Sequence, residues 1–138
     1  MRQNNMLRPV AFSAHEVELL QHLLMRLTGE KFDCQYELAG IWLHSENSDA
    51  ELRLLILSDK QLIVSRVLFR EKRHGTMTGV YKYLARFCKN NGLPTLVIQS
   101  VVSEAMANWC IKNGFTPSMT SYVQLPGFIG GDYLKDIK

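Results

Sequence analysis

The chain has 138 residues, 46% of them hydrophobic and 21% charged, which is the composition of an ordinary single globular domain and excludes a largely disordered chain. The net charge of +3 is too small to indicate nucleic-acid binding by itself, and no apolar run approaches the roughly 20 residues that span a bilayer. Three widely spaced cysteines without a CxxC pair predict neither a metal site nor a disulfide framework, so we expect a reducing, cytoplasmic setting.

A helix is predicted close to the start of the chain. Ser13 is a suitable N-cap, and Glu16 completes an S-x-x-E capping box. Apolar residues at helical spacing then continue to a stop at Gly29. Before this helix, residues 6–10 are predicted to be extended, because Pro9 disfavours helix at the residue that precedes it.

The middle of the chain changes to the periodicity of strands. Three short apolar runs cover residues 38–44, 52–57 and 62–69, with Ser-, Asn- and Asp-containing turn signals between them. A parallel crossover needs a dozen or more residues, so connections this short predict an antiparallel meander.

The second half of the chain alternates helix and strand. Residues 75–91 have helical spacing, and residues 96–102 have the pattern of a buried strand. Ser103 is a predicted cap for a helix over 104–113, and residues 115–125 suggest a last strand.

These elements predict one domain, 1–138, of the α/β (α+β) class. The strand-helix-strand unit over 62–102 is expected to be parallel and right-handed, and it joins the antiparallel meander. The result is a mixed sheet of about six strands with flanking helices. The tail after Pro126, which contains three glycines, is left unassigned.

The segment between the third apolar run and the next helix has the composition of an anion site. Residues 72–74 are Lys-Arg-His, and Gly75 permits close backbone approach at a helix start, where unpartnered N–H groups favour negative charge. Thr76 and Thr78 add hydroxyls. A diphosphate is the natural ligand, although neither a P-loop nor a Rossmann fingerprint is present. The alternative is a solvated basic loop.

Several motifs resemble those of the Gcn5-related N-acetyltransferase (GNAT) superfamily. The run V-x4-K-R-H-G-T-M over 67–77 resembles its motif A, in which a strand valine precedes [Q/R]-x-x-G-x-[G/A]. Residues 96–102 are similar to its fifth strand, and A-x6-G-F over 107–115 is similar to the signature of its next helix. Residues 7–10 are similar to its opening strand.

This resemblance implies an acyl-CoA N-acyltransferase-like fold and the transfer of an acetyl group from acetyl-coenzyme A to an amine of a small molecule, peptide or protein. It implies that the pyrophosphate lies on the backbone of 72–77 and that the pantetheine arm pairs with the main chain of 67–69. The coenzyme-binding residues that it implies are Val67, Leu68, Phe69, Lys72, Arg73, His74, Gly75, Thr76, Met77, Thr78 and Ser103.

Two departures from the family pattern concern coenzyme binding and catalysis. Met77 stands where Gly or Ala is usual, and its larger side chain could crowd the pyrophosphate. Cys110 stands where the family often has a tyrosine that protonates the leaving thiolate, so it is a candidate general acid; the alternative is a small buried hydrophobic residue. Tyr122 could approach the acyl group, or it could be an exposed sheet tyrosine. No general base is visible.

Two other functions stay open at this point. A catalytically inactive GNAT-like module could bind coenzyme A or a protein. A small nucleic-acid-binding domain could use the basic segment 66–74, although the aromatic residues fall at core-like positions. The expected partner is an unidentified acceptor amine. No membrane partner is expected, and nucleic acid is disfavoured. The chain is expected to be a monomer or a homodimer.

Overall fold

The computed structural model describes residues 9–69 and 75–137. Within them, three helices pack on one mixed sheet of seven strands. In chain order the elements are α1 (Ala14–Thr28), β1 (Phe32–Glu37), β2 (Gly40–Ser45), β3 (Glu51–Leu57), β4 (Gln61–Leu68), α2 (Thr76–Asn91), β5 (Thr95–Val101), α3 (Glu104–Lys112), β6 (Thr116–Leu125) and β7 (Phe128–Asp136).

The predicted ends of the helices are confirmed. Ser13 caps α1, with its Oγ accepting from the Glu16 N–H at 3.1 Å, and Gly29 ends the helix at φ 77°. Gly92 ends α2 at φ 68°. At the start of a helix, a serine oxygen accepts from an otherwise unpaired backbone N–H. At its end, a glycine in the left-handed conformation lets backbone N–H groups pair with the last carbonyls.

The sheet has the order β1-β2-β3-β4-β5-β7-β6. Strands β2 to β4 form the predicted antiparallel meander, which β1 extends by one strand, and β4 pairs with β5 in parallel around α2. The mixed sheet is therefore confirmed, with seven strands rather than about six. Two of the seven were not predicted: β1, at the edge of the described sheet, and β7, which runs antiparallel between β5 and β6.

Two local predictions differ from the structure, and the segment left unassigned contains a strand. Pro9 and Val10 lie in no strand, and the earlier part of the predicted opening strand lies outside the described residues. A strand, β1, follows α1 instead, and it forms a tight hairpin with β2. Leu38, predicted to begin a strand, lies fully exposed in that turn. The unassigned tail after Pro126 contains β7.

One hydrophobic core joins all three helices to the same face of the sheet. In the row that crosses the sheet through Leu54, Val64, Ile98 and Tyr133, every side chain is buried in this core. Each such residue contributes roughly 1.5–3 kcal/mol through burial. The helices also contact one another, since a methyl group added at Gly79 of α2 would collide with Leu27 of α1. No helix in the described part of the chain is long and apolar enough to cross a membrane.

Candidate active site

A cleft opens where the two parallel strands of the sheet separate. β4 and β5 pair only over 61–64 and 95–98. Beyond these pairs the strands diverge, and a cleft of about 520 Å³ lies between 65–69 on one side and 98–103 on the other.

Two backbone irregularities accompany this separation. In β4, Ser65 is an extra residue between the pairs that Arg66 and Val64 make with β3, so the strand bulges. In β5, Ser100 has φ 57°, and its N–H donates to Asp132 Oδ1 at 2.8 Å rather than to a strand. Over 65–68, β4 therefore pairs with β3 alone among the described elements, and its edge facing β5 is free to bind an extended ligand.

The N-terminus of α2 forms part of the cleft wall on the helix side of the sheet. Gly75 precedes it at φ 71° and makes no side-chain cap, and the first turn contains no acidic residue. Thr76 lines the cleft and is only 1% exposed, yet its Oγ1 has no hydrogen-bond partner among the described residues. An unpartnered buried hydroxyl is costly, and here it lies beside helix N–H groups that favour an anion. The wall is therefore suited to a negatively charged, hydrogen-bonding ligand.

The N-terminus of α3 lies on the same wall, but a side chain of the protein already caps it. Ser103 Oγ accepts from the Met106 N–H at 3.2 Å, as predicted for a cap. Trp109 lines the cleft and donates from Nε1 to Thr78 Oγ1 at 3.1 Å, which links α3 to α2. Thr78 therefore holds a cleft-lining side chain and does not itself line the cleft.

The cleft brings together most of the predicted coenzyme-binding residues that the structure describes. Gly75 adjoins it at the start of α2, whereas Lys72, Arg73 and His74 lie outside the described residues. Met77, predicted to affect the fit of the pyrophosphate, is half-buried on the wall. The predicted residues that line the cleft are Val67, Leu68, Phe69, Thr76, Met77 and Ser103.

The two candidate catalytic residues lie away from this cleft. Cys110 is fully buried in the core and is not part of the lining, and burial raises the pKa of its thiol to about 12. Tyr122 is half-exposed on β6, also outside the lining. Both assignments stay predictions, but the burial of Cys110 favours the alternative of a small core residue.

Sequence reasoning missed Glu51, the only carboxylate among the described residues that line the cleft. Its Oε1 accepts from Trp42 Nε1 at 2.8 Å, and its Oε2 accepts from Arg66 Nε at 3.0 Å. Burial raises the pKa of Glu51, but the bonds from Arg66 and Trp42 outweigh it, so the pKa lies below its usual range. Nothing in the sequence singles out this glutamate, because only the strand pairing brings its partners together.

Comparison of the sequence with family models and with curated proteins gives no match. Solved structures match the fold. Nourseothricin acetyltransferase has a TM-score of 0.52 and 12% identity, over 71% of this chain and 64% of that one. A protein from Lactobacillus plantarum assigned as an N-acetyltransferase has a TM-score of 0.52 and 16% identity, over 93% and 95% of the two chains.

A third structure, from Desulfovibrio desulfuricans and assigned to the GNAT family of acetyltransferases, has a TM-score of 0.51 and 10% identity, covering 92% of this chain and 84% of that one. At these identities the similarity concerns the fold. The predicted acyl-CoA N-acyltransferase fold is thereby confirmed.

Proposed function

We propose that this chain, whose fold resembles that of solved acetyltransferases, belongs to the GNAT superfamily and is an acetyl-coenzyme A-dependent N-acetyltransferase. The cofactor, the reaction and the site residues are all part of this proposal. When bound, acetyl-coenzyme A supplies a thioester whose acetyl group passes directly to an amine.

The observation that carries the proposal is the buried hydroxyl of Thr76. It is 1% exposed, has no partner in the described part of the chain, and lies in the first turn of a helix that has neither a side-chain cap nor an acidic residue. A pyrophosphate would accept hydrogen bonds from this hydroxyl and from the neighbouring N–H groups. In the sequence, the basic segment 66–74 directly precedes this helix and adds positive charge.

The unpaired edge of β4 fits the remainder of the coenzyme. The amides of a pantetheine arm would pair with the main chain near Val67 and Phe69, as an added strand does. Apolar side chains, including Met106 and Trp109, form the facing wall and would exclude water from the thioester. The bulge at Ser65 changes the direction of β4 where the reacting carbonyl would lie.

Acetyl transfer requires attack by a neutral amine nitrogen on the thioester carbonyl carbon, cleavage of the carbon–sulfur bond, and release of coenzyme A thiol. Donors directed at the developing oxyanion stabilise this step, and N–H groups on the unpaired edge of β4 would serve as such donors. The bulk of Met77 reduces the room beside the phosphates, so we expect tight packing against them rather than loss of binding.

The first test is calorimetric titration with acetyl-coenzyme A and with coenzyme A, followed by assay of thiol release against a panel of amines. We expect micromolar binding of both ligands and thiol release with at least one amine. Absence of binding at high micromolar ligand would overturn the proposal. Binding without release for any amine would favour the inactive module, and strong salt-dependent retention of DNA or RNA would favour the nucleic-acid domain.

A further inference from the structure

The cleft opens on both faces of the sheet. Thr76, Met106 and Trp109 line it on the face that carries the helices. Side chains alternate along a strand, and Val67 packs against the helix-side core, so its neighbours Arg66 and Leu68 lie on the opposite face. The cleft therefore has two mouths, and two ligands can meet in it from opposite sides.

The second mouth, on the face without helices among the described elements, is polar. Glu51 lies directly opposite Leu68 in the β3–β4 ladder and shares its face with Arg66. Across the cleft, Gln99 lies on the same face, since its neighbour Ile98 is in the helix-side core. We refer to Glu51, Arg66 and Gln99 as the polar mouth.

Glu51 is held rigidly in the polar mouth, whereas Arg66 is not. The Glu51 side chain is 14% exposed, and Trp42 Nε1 fixes its Oε1. The Arg66 side chain is 59% exposed, and the hydrogen bonds that it makes to Glu51 all go to Oε2, at 3.0 Å. Because the arginine is exposed, water can replace the contacts that it loses, so a competing cation can displace it at small cost.

We propose that Glu51 binds the acceptor amine, as its alkylammonium ion, at the polar mouth, and that Arg66 occupies the same place until the acceptor arrives. The acceptor class is thus a protonated alkylamine rather than an arylamine or an alcohol. This inference rests on the proposed function, in which the acetyl group reaches the cleft from the helix side. The carboxylate stays ionised at neutral pH because Arg66 and Trp42 donate to it, which suits it to bind a cation.

The hydrogen bond from Trp42 to Glu51 provides a direct readout that needs no turnover. The chain has two tryptophans, so an ¹⁵N-labelled sample gives two indole N–H resonances, and Trp109→Phe assigns them. We would titrate the coenzyme A-loaded protein with 1,4-diaminobutane, and in parallel with 1,4-butanediol as a neutral isostere. We expect a saturable shift of the Trp42 indole with the diamine and none with the diol.

Three variants complete the test. Glu51→Gln should weaken diamine binding about tenfold or more, the loss expected for a hydrogen bond between charged groups. Glu37→Gln is the matched control, since Glu37 is similarly buried (19% exposed), pairs with Arg53 at 2.8 Å and lies outside this cleft. It should leave diamine binding within about twofold. Arg66→Gln should tighten binding several-fold, because it removes the competing cation.

The outcomes separate this inference from the proposed function. Coenzyme A should shift the Trp109 indole, because Trp109 lines the helix-side mouth. If coenzyme A leaves Trp109 unmoved, the proposed function fails. If the Trp109 indole shifts with coenzyme A but the Trp42 indole does not shift with the diamine, the role proposed for Glu51 is overturned. The same holds if the diol and the diamine shift the Trp42 indole alike. Equal weakening by Glu51→Gln and Glu37→Gln, or no tightening by Arg66→Gln, would also overturn it.

Discussion

Two helices begin on the same wall of the cleft, and their first turns are built differently. In α3, Ser103 caps the helix and Glu104 complements its dipole. In α2, a left-handed glycine precedes the helix, no side chain of the described residues caps it, and the first turn has no acidic residue. The first turn of α1 resembles that of α3, with a serine cap and an acidic residue. A satisfied N-terminus stabilises the fold, whereas an unsatisfied one keeps its donors available for a ligand.

The largest expected effect comes from placing a negative charge at the open N-terminus of α2. Gly75→Glu should weaken binding of coenzyme A by roughly 100-fold or more, since two unit charges ~5 Å apart at an effective dielectric of ~20 repel by ~3 kcal/mol. Calorimetric titration with coenzyme A measures this loss.

Gly75→Gln is the matched control for that substitution. A Cβ at position 75 meets no atom within 4 Å, but the residue has φ 71°, so both variants lose about 1–2 kcal/mol of stability through backbone strain. The two variants should unfold at similar temperatures and differ in coenzyme affinity. Equal affinities would show that charge at this position does not matter, and the contrast between α2 and α3 would lose its functional meaning.

Thr76→Val should have a smaller effect on coenzyme binding, which it weakens, and should stabilise the free protein. The isosteric change removes a buried hydroxyl that has no partner among the described residues, so the free energy of unfolding without ligand should rise by about 1 kcal/mol. Coenzyme A should bind about tenfold more weakly, because a donor to the phosphates is lost. Chemical denaturation and calorimetry measure the two quantities separately.

Thr78→Val supplies the comparison two residues further along. Its Oγ1 accepts from Trp109 Nε1, so its removal leaves the indole N–H without this partner and should lower the free energy of unfolding by about 1 kcal/mol. The two threonines should therefore respond with opposite signs. If both variants are destabilised, Thr76 Oγ1 has a partner in the free protein and its assignment to the ligand is wrong.

The smallest expected effect on binding belongs to the satisfied N-terminus of α3. Ser103→Ala removes the cap and should lower the free energy of unfolding by about 1 kcal/mol. Coenzyme A affinity should fall by only a few-fold, less than for Thr76→Val, since the serine hydroxyl is already used within the helix. A larger loss of affinity in Ser103→Ala than in Thr76→Val would reverse the assigned roles of the two helices.

Local chemistry made the helices and the meander predictable. Ser13 and Ser103 have the side chain that a cap requires, and Gly29 and Gly92 supply the left-handed end. The β4–α2 connection was predicted as an anion site for the same reason, and that assignment stays a prediction. Its features depend on neighbours in the chain, and such neighbours are visible in a sequence.

The features that were missed depend on contacts between distant segments. β1 is an edge strand with most side chains outside the core, so its apolar alternation is weak. The glycines after Pro126 left the tail unassigned, yet Gly130 and Gly131 lie within β7, where a Cβ would collide with backbone oxygens of Val101 and Ser121. Glu51 gains its partners only through the registers of three strands.

The position of β7 also determines when the sheet can be finished. β5 and β6 are made earlier during synthesis, but they do not pair with each other, and β7 lies between them. Until residues 128–136 emerge from the ribosome, β6 lacks its partner strand and Tyr133, fully buried in the finished protein, is missing from the core. This half of the sheet should therefore fold only after residues 128–136 have been made, and until then the edge of β5 that pairs with β7 stays open.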